Sequence, residues 1–216
     1  MNFSIQTFPV YPLGCNCSIL SCNETKEAIV IDPGGEEEKI FQNLKKLGLT
    51  LRYIIHTHAH FDHCLGTGGL HTKAEKDCKV GLHKDDLFLY EKLAMQCSLF
   101  GIPYRSKTEK AIDFYLEDGD SINWGNNSLK ILHTPGHTPG SVCFTVSSSE
   151  KQITFSGDTL FAGGIGRTDL WGGDYGLIMN SIKHRLLKQD DETILIPGHG
   201  ETSTIYKEKR SNPFLI

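Results

Sequence analysis

The chain has 216 residues, 38% of them hydrophobic and 22% charged, a balance that excludes a disordered polymer and allows a sizeable core in a single domain over 1–216. Lys and Arg number 22 against 26 Asp and Glu, a net charge of −4, which speaks against a nucleic-acid partner. No apolar run approaches the ~20 residues of a membrane span, and the opening MNFSIQTFPV lacks the basic start and apolar core of a signal peptide.

Short β-branched or aromatic runs predict strands at Ser4–Phe8, Cys17–Leu20 and Ala28–Ile31. A helix is expected over Glu36–Leu47, with Ile40, Phe41, Leu44 and Leu47 on one face, acids in its first turn and Gly48 as its stop. Strands follow at Arg52–His56 and Lys79–Leu82, then a helix over Lys84–Phe100. Five more strands are expected at Ile112–Leu116, Leu129–His133, Val142–Val146, Ile153–Ser156 and Thr193–Ile196, with a helix over Tyr175–Lys188 before the last. Gly101 to Thr108 is polar and irregular; a surface loop is expected there, with a lid near the site as the alternative. Runs of strands with helices set between them suit two packed sheets with helices outside more than one strictly alternating parallel sheet.

Seven cysteines at irregular spacing, including the tight pair Cys15 and Cys17, predict free thiols, mostly buried, in a reducing and hence cytoplasmic setting. The ten histidines are more telling. The run His56-Thr57-His58-Ala59-His60-Phe61-Asp62-His63 follows an apolar strand. Two residues apart on extended chain, His58 and His60 point to one side. The adjacent Asp62 and His63 are expected to diverge from each other. The spacing suggests two ligand sets, each too small for a complete metal site, so further ligands must come from elsewhere. Three later segments offer them beside glycines after apolar runs: His137 in Thr134-Pro135-Gly136-His137, Asp158 in Ser156-Gly157-Asp158-Thr159, and His199 in Pro197-Gly198-His199-Gly200. Strand ends of a rigid scaffold are where ligands are held accurately.

These residues resemble the metallo-β-lactamase fold superfamily, which carries His-x-His-x-Asp-His, then a His, an Asp and a His at strand ends in this order. The resemblance runs from Val30-Ile31-Asp32-Pro33-Gly34 to Pro197-Gly198-His199-Gly200. It implies an α+β fold, an αββα four-layer sandwich with two mixed sheets and helices on the outer faces. It also implies two divalent metals per chain, zinc with iron or manganese as alternatives. The first would take His58, His60 and His137, the second Asp62, His63 and His199, with Asp158 bridging both. Such a site generates a hydroxide nucleophile near neutral pH and polarises a carbonyl. Asp158 is then expected to align the hydroxide, and Asp62 to share in proton transfer.

The segment Gly157-Asp158-Thr159-Leu160-Phe161 resembles the glyoxalase II group, which hydrolyses hydroxyacyl-glutathione thioesters. The chain looks like compact members without that group's C-terminal helical domain, since it stops at Ile216, soon after His199. Asp158 stands where class-B lactamases commonly carry Cys, which disfavours a β-lactam substrate. Arg167 falls where the two-domain enzymes have a substrate-binding Lys, so it is expected either to meet an anionic substrate or to form a structural ion pair. The expected activity is thioester hydrolysis, S-lactoylglutathione to lactate and glutathione. Gly166-Arg167-Thr168-Asp169 also resembles the persulfide dioxygenases, which hold one iron through residues matching His58, His137 and Asp158. Further alternatives are hydrolysis of another ester or a phosphodiester, and a metal-stabilised binding module. Nothing in the sequence sets an oligomeric state. His56, His83 and His133 are expected to be buried or to orient ligands, and His71 and His184 to lie on the surface. Asp32 reads equally as a turn residue and as a support for a ligand.

Overall fold

The computed structural model describes residues 2–104, 110–148 and 151–216. Its elements, in order, are β1 (Phe3–Val10), β2 (Cys15–Cys22), β3 (Glu27–Ile31), α1 (Glu37–Lys46), β4 (Thr50–Ile55), α2 (Phe61–Cys64), α3 (Thr67–Lys73), β5 (Lys79–Leu82), α4 (Leu87–Tyr90) and α5 (Leu93–Leu99). The second half contributes β6 (Phe114–Tyr115), β7 (Ser121–Trp124), β8 (Asn127–His133), β9 (Val142–Ser147), β10 (Gln152–Gly157), β11 (Leu160–Phe161), β12 (Gly164–Ile165), α6 (Tyr175–His184), β13 (Ile194–Pro197), β14 (Ser203–Thr204) and α7 (Ile205–Ser211).

Two six-stranded sheets form, in the orders β1-β2-β3-β4-β5-β6 and β14-β13-β10-β9-β8-β7. Both are mixed: β3, β4, β5 and β6 run parallel, β1, β2 and β3 antiparallel, and β10 pairs parallel with β13 but antiparallel with β9. Side chains alternate across each strand. On β3, Ile29 and Ile31 face the second sheet, in one core with Phe144, Val146 and Phe155, while Ala28 and Val30 face Ile40 and Leu44 of α1. On the far side, Cys143 and Leu195 meet Ile178 and Ile182 of α6. The result is the four-layer αββα sandwich that the sequence predicts.

Three expected elements differ. The span Lys84–Phe100 is not one helix but a 3₁₀ turn at Lys84–Asp86 followed by α4 and α5. The breaks let the segment turn two polar side chains inward, Asp86 and Gln96, both fully buried. The helix expected to reach Lys188 stops at His184, and the Arg185 guanidinium turns aside to pair with Asp118 at 2.7 Å. Within Ile112–Leu116 only Phe114–Tyr115 pairs, against β5. Helices α2, α3 and α7 and strand β7 have no counterpart in the sequence reading; α3 carries Gly68 and Gly69, which weaken helical propensity. Of the irregular 101–108 stretch, residues 105–108 lie outside the described residues.

Candidate metal centre

All seven predicted side chains meet at one end of the sandwich. His58 and His60 leave the loop after β4, and Asp62 and His63 begin α2. His137 hangs in the β8–β9 loop, Asp158 follows β10 and His199 follows β13. His60 Nδ1 lies 3.1 Å from His58 Nε2 and 2.9 Å from His137 Nε2. His199 Nε2 lies 3.1 Å from Asp62 Oδ2 and 3.3 Å from His63 Nε2. Asp62 and His63 do not diverge as extended-chain spacing implies: on the helical turn His63 Nε2 comes within 3.7 Å of Asp62 Oδ2. Between the two groups sits Asp158, with Oδ2 3.6 Å from His137 Nε2 and 3.7 Å from His199 Nε2, and Oδ1 3.5 Å from His63 Nε2.

The hydrogen bonds behind the imidazoles fix which nitrogen keeps its lone pair. The N–H of His63 Nδ1 points to Asp32 Oδ2 at 3.0 Å, and that of His137 Nδ1 to the Arg167 carbonyl at 2.7 Å. Thr57 Oγ1 donates to Asp32 Oδ2 at 2.6 Å and is left to accept from His58 Nδ1 at 3.1 Å. In each ring Nε2 is therefore the acceptor nitrogen turned into the site. The donor set fits two cations. Imidazole nitrogens and carboxylate oxygens crowd together, and Asp158 Oδ1 is buried without a hydrogen-bond partner among the described residues. Burial, then the neighbouring imidazoles, push the pKa values of His58 and His60 well down, so both rings are neutral. At His63 burial works the same way but is outweighed by the Asp158, Asp62 and Asp32 carboxylates, which raise it well above the usual range. Burial resists the charge of Asp62 too, yet His63 and His199 hold its carboxyl down at about 2. This excess of carboxylate charge is what bound dications would neutralise. His58, His60 and His137 could hold one ion, Asp62, His63 and His199 a second, with Asp158 reaching both.

Buried clamps, which the sequence reading missed apart from Asp32, hold the ligand loops. Asp86 accepts from Ala59 N (2.9 Å), Gly140 N (2.6 Å) and Thr138 Oγ1 (2.7 Å), joining the His58–His60 loop to the His137 loop. Gln96 accepts from Phe61 N at 3.0 Å and donates to Ala59 O at 3.1 Å. Asp32 serves both expected roles. Its backbone turns at φ 52 with Gly34 N on its carbonyl, and its carboxylate holds Thr57 and His63. Two glycines press on the site: a Cβ at Gly198 would lie 2.1 Å from Asp158 Oδ1, and one at Gly166 1.8 Å from the Asp158 carbonyl. Cys15 also approaches His63 Nδ1, at 3.4 Å, but burial pushes its thiol up to about 12, so it stays protonated.

The other histidines divide. His56 is fully buried against Cys64 and Thr67. His133 lies 2.9 Å from Pro139 O in the His137 loop and stacks flat on His83, at 4.2 Å between ring centroids. His184 is exposed as expected, whereas His71 is half-buried with Nε2 3.2 Å from Cys78 O. Arg167 is exposed and forms a two-pronged ion pair with Asp169 at 2.7 and 2.8 Å. All seven cysteines are free and buried, as the sequence predicts. Among the described residues no helix is long and apolar enough to cross a membrane.

Residues 10–199 match the family model of the metallo-beta-lactamase superfamily. The chain belongs to that superfamily. It is 40% identical to the hydroxyacylglutathione hydrolase GloC of Haemophilus influenzae, over 98% of each chain. It is 31% identical to the human mitochondrial persulfide dioxygenase, over 94% of this chain and 73% of that protein. Among solved structures, the B3 metallo-beta-lactamase BLEG-1 superposes with a TM-score of 0.84 at 36% identity, covering 98% of this chain and 99% of that one. TTHA1623 in a di-iron-bound form superposes with a TM-score of 0.85 at 36% identity, covering 97% and 100%.

Proposed function

We propose that the protein is a two-metal hydrolase of hydroxyacyl-glutathione thioesters, releasing lactate and glutathione from S-lactoylglutathione. The observation that carries this reading is the completeness of the second ligand group. Asp62, His63 and His199 stand beside His58, His60 and His137, and Asp158 lies between the groups. End-to-end likeness to the Haemophilus enzyme supports the substrate class.

When bound, two divalent ions would supply a hydroxide nucleophile near neutral pH and a Lewis acid for the thioester carbonyl. Zinc, iron and manganese all suit a His/Asp donor set, and the di-iron neighbour keeps iron level with zinc. The chain's residues supply the rest. Asp158 Oδ1, buried and without a hydrogen-bond partner among the described residues, is the acceptor that orients the attacking water. The Asp62 carboxylate, ionised across the neutral range, would help hold the second ion and could accept a hydrogen bond from the attacking water. The leaving thiolate, with a reference pKa of about 8.5, departs without a dedicated acid. Arg167 would meet the anionic carrier, its backbone anchored to His137. A cytoplasmic location agrees with seven unpaired thiols.

A mononuclear iron persulfide dioxygenase is the second reading, favoured by the human relative and by the closeness of Asp158 to His137. The deciding experiment offers the metal-loaded protein S-lactoylglutathione, glutathione persulfide with oxygen, a phosphodiester and a β-lactam. Thiol release from the first is expected. Oxygen uptake with the persulfide and no thiol release would replace the proposal with the dioxygenase, and turnover of only the β-lactam or the phosphodiester would replace it with that hydrolase.

A further inference from the structure

His58, His63 and His137 each have a partner on the ring nitrogen that faces away from the site. His60 does not. Its Nδ1 is turned into the site, its Nε2 is buried without a hydrogen-bond partner among the described residues, and the residue as a whole is only 5% exposed. With the Nδ1 lone pair committed to the site, Nε2 carries the proton. A buried N–H with nothing to accept it is costly, so what packs beside the ring matters. The indole of Trp171 packs beside the His60 ring. Its ring centroid is 6.2 Å from that of His60, with the planes at 65° in an edge-to-face arrangement. Trp171 is half-buried and packs on the apolar cluster that includes Ala59, Phe61, Leu89 and Leu93, so its position is fixed from behind.

We propose that Trp171 is the positioning residue of His60, its indole π-face receiving the Nε2–H and closing that side of the site to water. An N–H over an aromatic face is a weak hydrogen bond, strengthened when the imidazole carries positive charge from a bound cation. The consequence is an asymmetry between the ligand groups. His63 is backed by the Asp32 carboxylate, which raises its basicity, whereas His60 is backed by a neutral ring and stays the weaker donor. The group of His58, His60 and His137 is thereby left as the more electrophilic half.

This inference rests on the metal-holding reading of the site, and the test separates the two. Zinc-loaded protein labelled with ¹⁵N-histidine is compared with Trp171→Phe and Trp171→Leu. In the wild type the His60 Nε2–H signal is expected upfield of the other ligand N–H signals, shifted by the indole ring current, and slow to exchange with solvent. Trp171→Phe keeps a π-face and preserves both features. Trp171→Leu moves the signal downfield, speeds its exchange and weakens binding of one zinc roughly tenfold. Phe remains the readable comparison even if the Leu variant fails to fold, because a Phe variant with the signal of an ordinary exposed N–H overturns the proposal. A Leu variant identical to wild type in signal and zinc affinity also overturns it. Wild-type protein that takes up no zinc overturns the metal-holding reading itself.

Discussion

Asp86 offers the sharpest test of how the site is held. Its Oδ2 accepts from Ala59 N and Thr138 Oγ1, and its Oδ1 from Gly140 N. Asn at this position keeps the first two bonds if its oxygen takes the Oδ2 place. Its amide NH₂ then faces Gly140 N–H, donor against donor. Losing a charge-assisted bond and stranding a buried N–H costs roughly 2–4 kcal/mol. Against this, burial raises the pKa of Asp86, so the neutral amide recovers part of the desolvation cost, and a net loss of about 2 kcal/mol is expected. For a chain of this size that lowers Tm by about 4–8 °C. Because the bond ties together the loops bearing His60 and His137, zinc affinity should fall roughly tenfold as well. Thermal unfolding of chelator-treated Asp86→Asn and zinc competition with a chromophoric chelator measure the two effects. A variant that melts within about 1 °C of wild type and binds zinc as tightly would refute the clamp.

Asp158→Asn should retain the fold, lose metal and lose at least ~100-fold in turnover; metal analysis and steady-state kinetics on the folded variant check this, and unchanged turnover would remove Asp158 from between the ligand groups. Gly198→Ala would set a methyl 2.1 Å from Asp158 Oδ1 and 2.8 Å from His63 Cε1, so the second ion should be lost while the first is kept, read as metal equivalents by elemental analysis. His56, fully buried, has its pKa pulled from 6.5 down to about 4 by burial. Its contribution is present above about pH 6.5 and lost as pH falls toward 4, at up to ~1.4 kcal/mol per pH unit; His58 and His60, also held neutral by burial, add to the same slope, so denaturant midpoints of chelated His56→Gln across that window should fall less steeply than those of the wild type, by up to one proton's worth. Arg167→Met should raise KM for S-lactoylglutathione severalfold with little change in kcat, and leave KM for an uncharged thioester unchanged; equal effects on both substrates would make Arg167 a structural residue only.

The candidate ligands were the legible part of this protein. The seven side chains could be picked out because metal chemistry restricts residue type, because four of them crowd into His58-Ala59-His60-Phe61-Asp62-His63 after an apolar strand, and because His137, Asp158 and His199 each sit beside glycine. What held them was far less visible. Asp86 and Gln96 lie in a stretch whose apolar spacing reads as one helix, and only tertiary demand for buried hydrogen bonds breaks it. Gly198 and Gly166 read as loop punctuation, although each is required by the closeness of Asp158. Asp62 and His63 converge because a turn of helix replaces the extended chain, a change no period in four residues can announce. The longer strands were placed within a few residues because β-branched and aromatic residues run together in them and are buried on both faces, whereas β6, β11, β12 and β14, of two residues each, are created by their neighbours.

The measurement that bears most directly on the central claim is the metal content of protein purified without added metal or a chelating tag. About two ions per chain, of zinc, iron or manganese in any mixture, are expected from the paired ligand groups. One iron per chain, with no second ion taken up when zinc or manganese is offered, would contradict the dinuclear hydrolase and point to the dioxygenase.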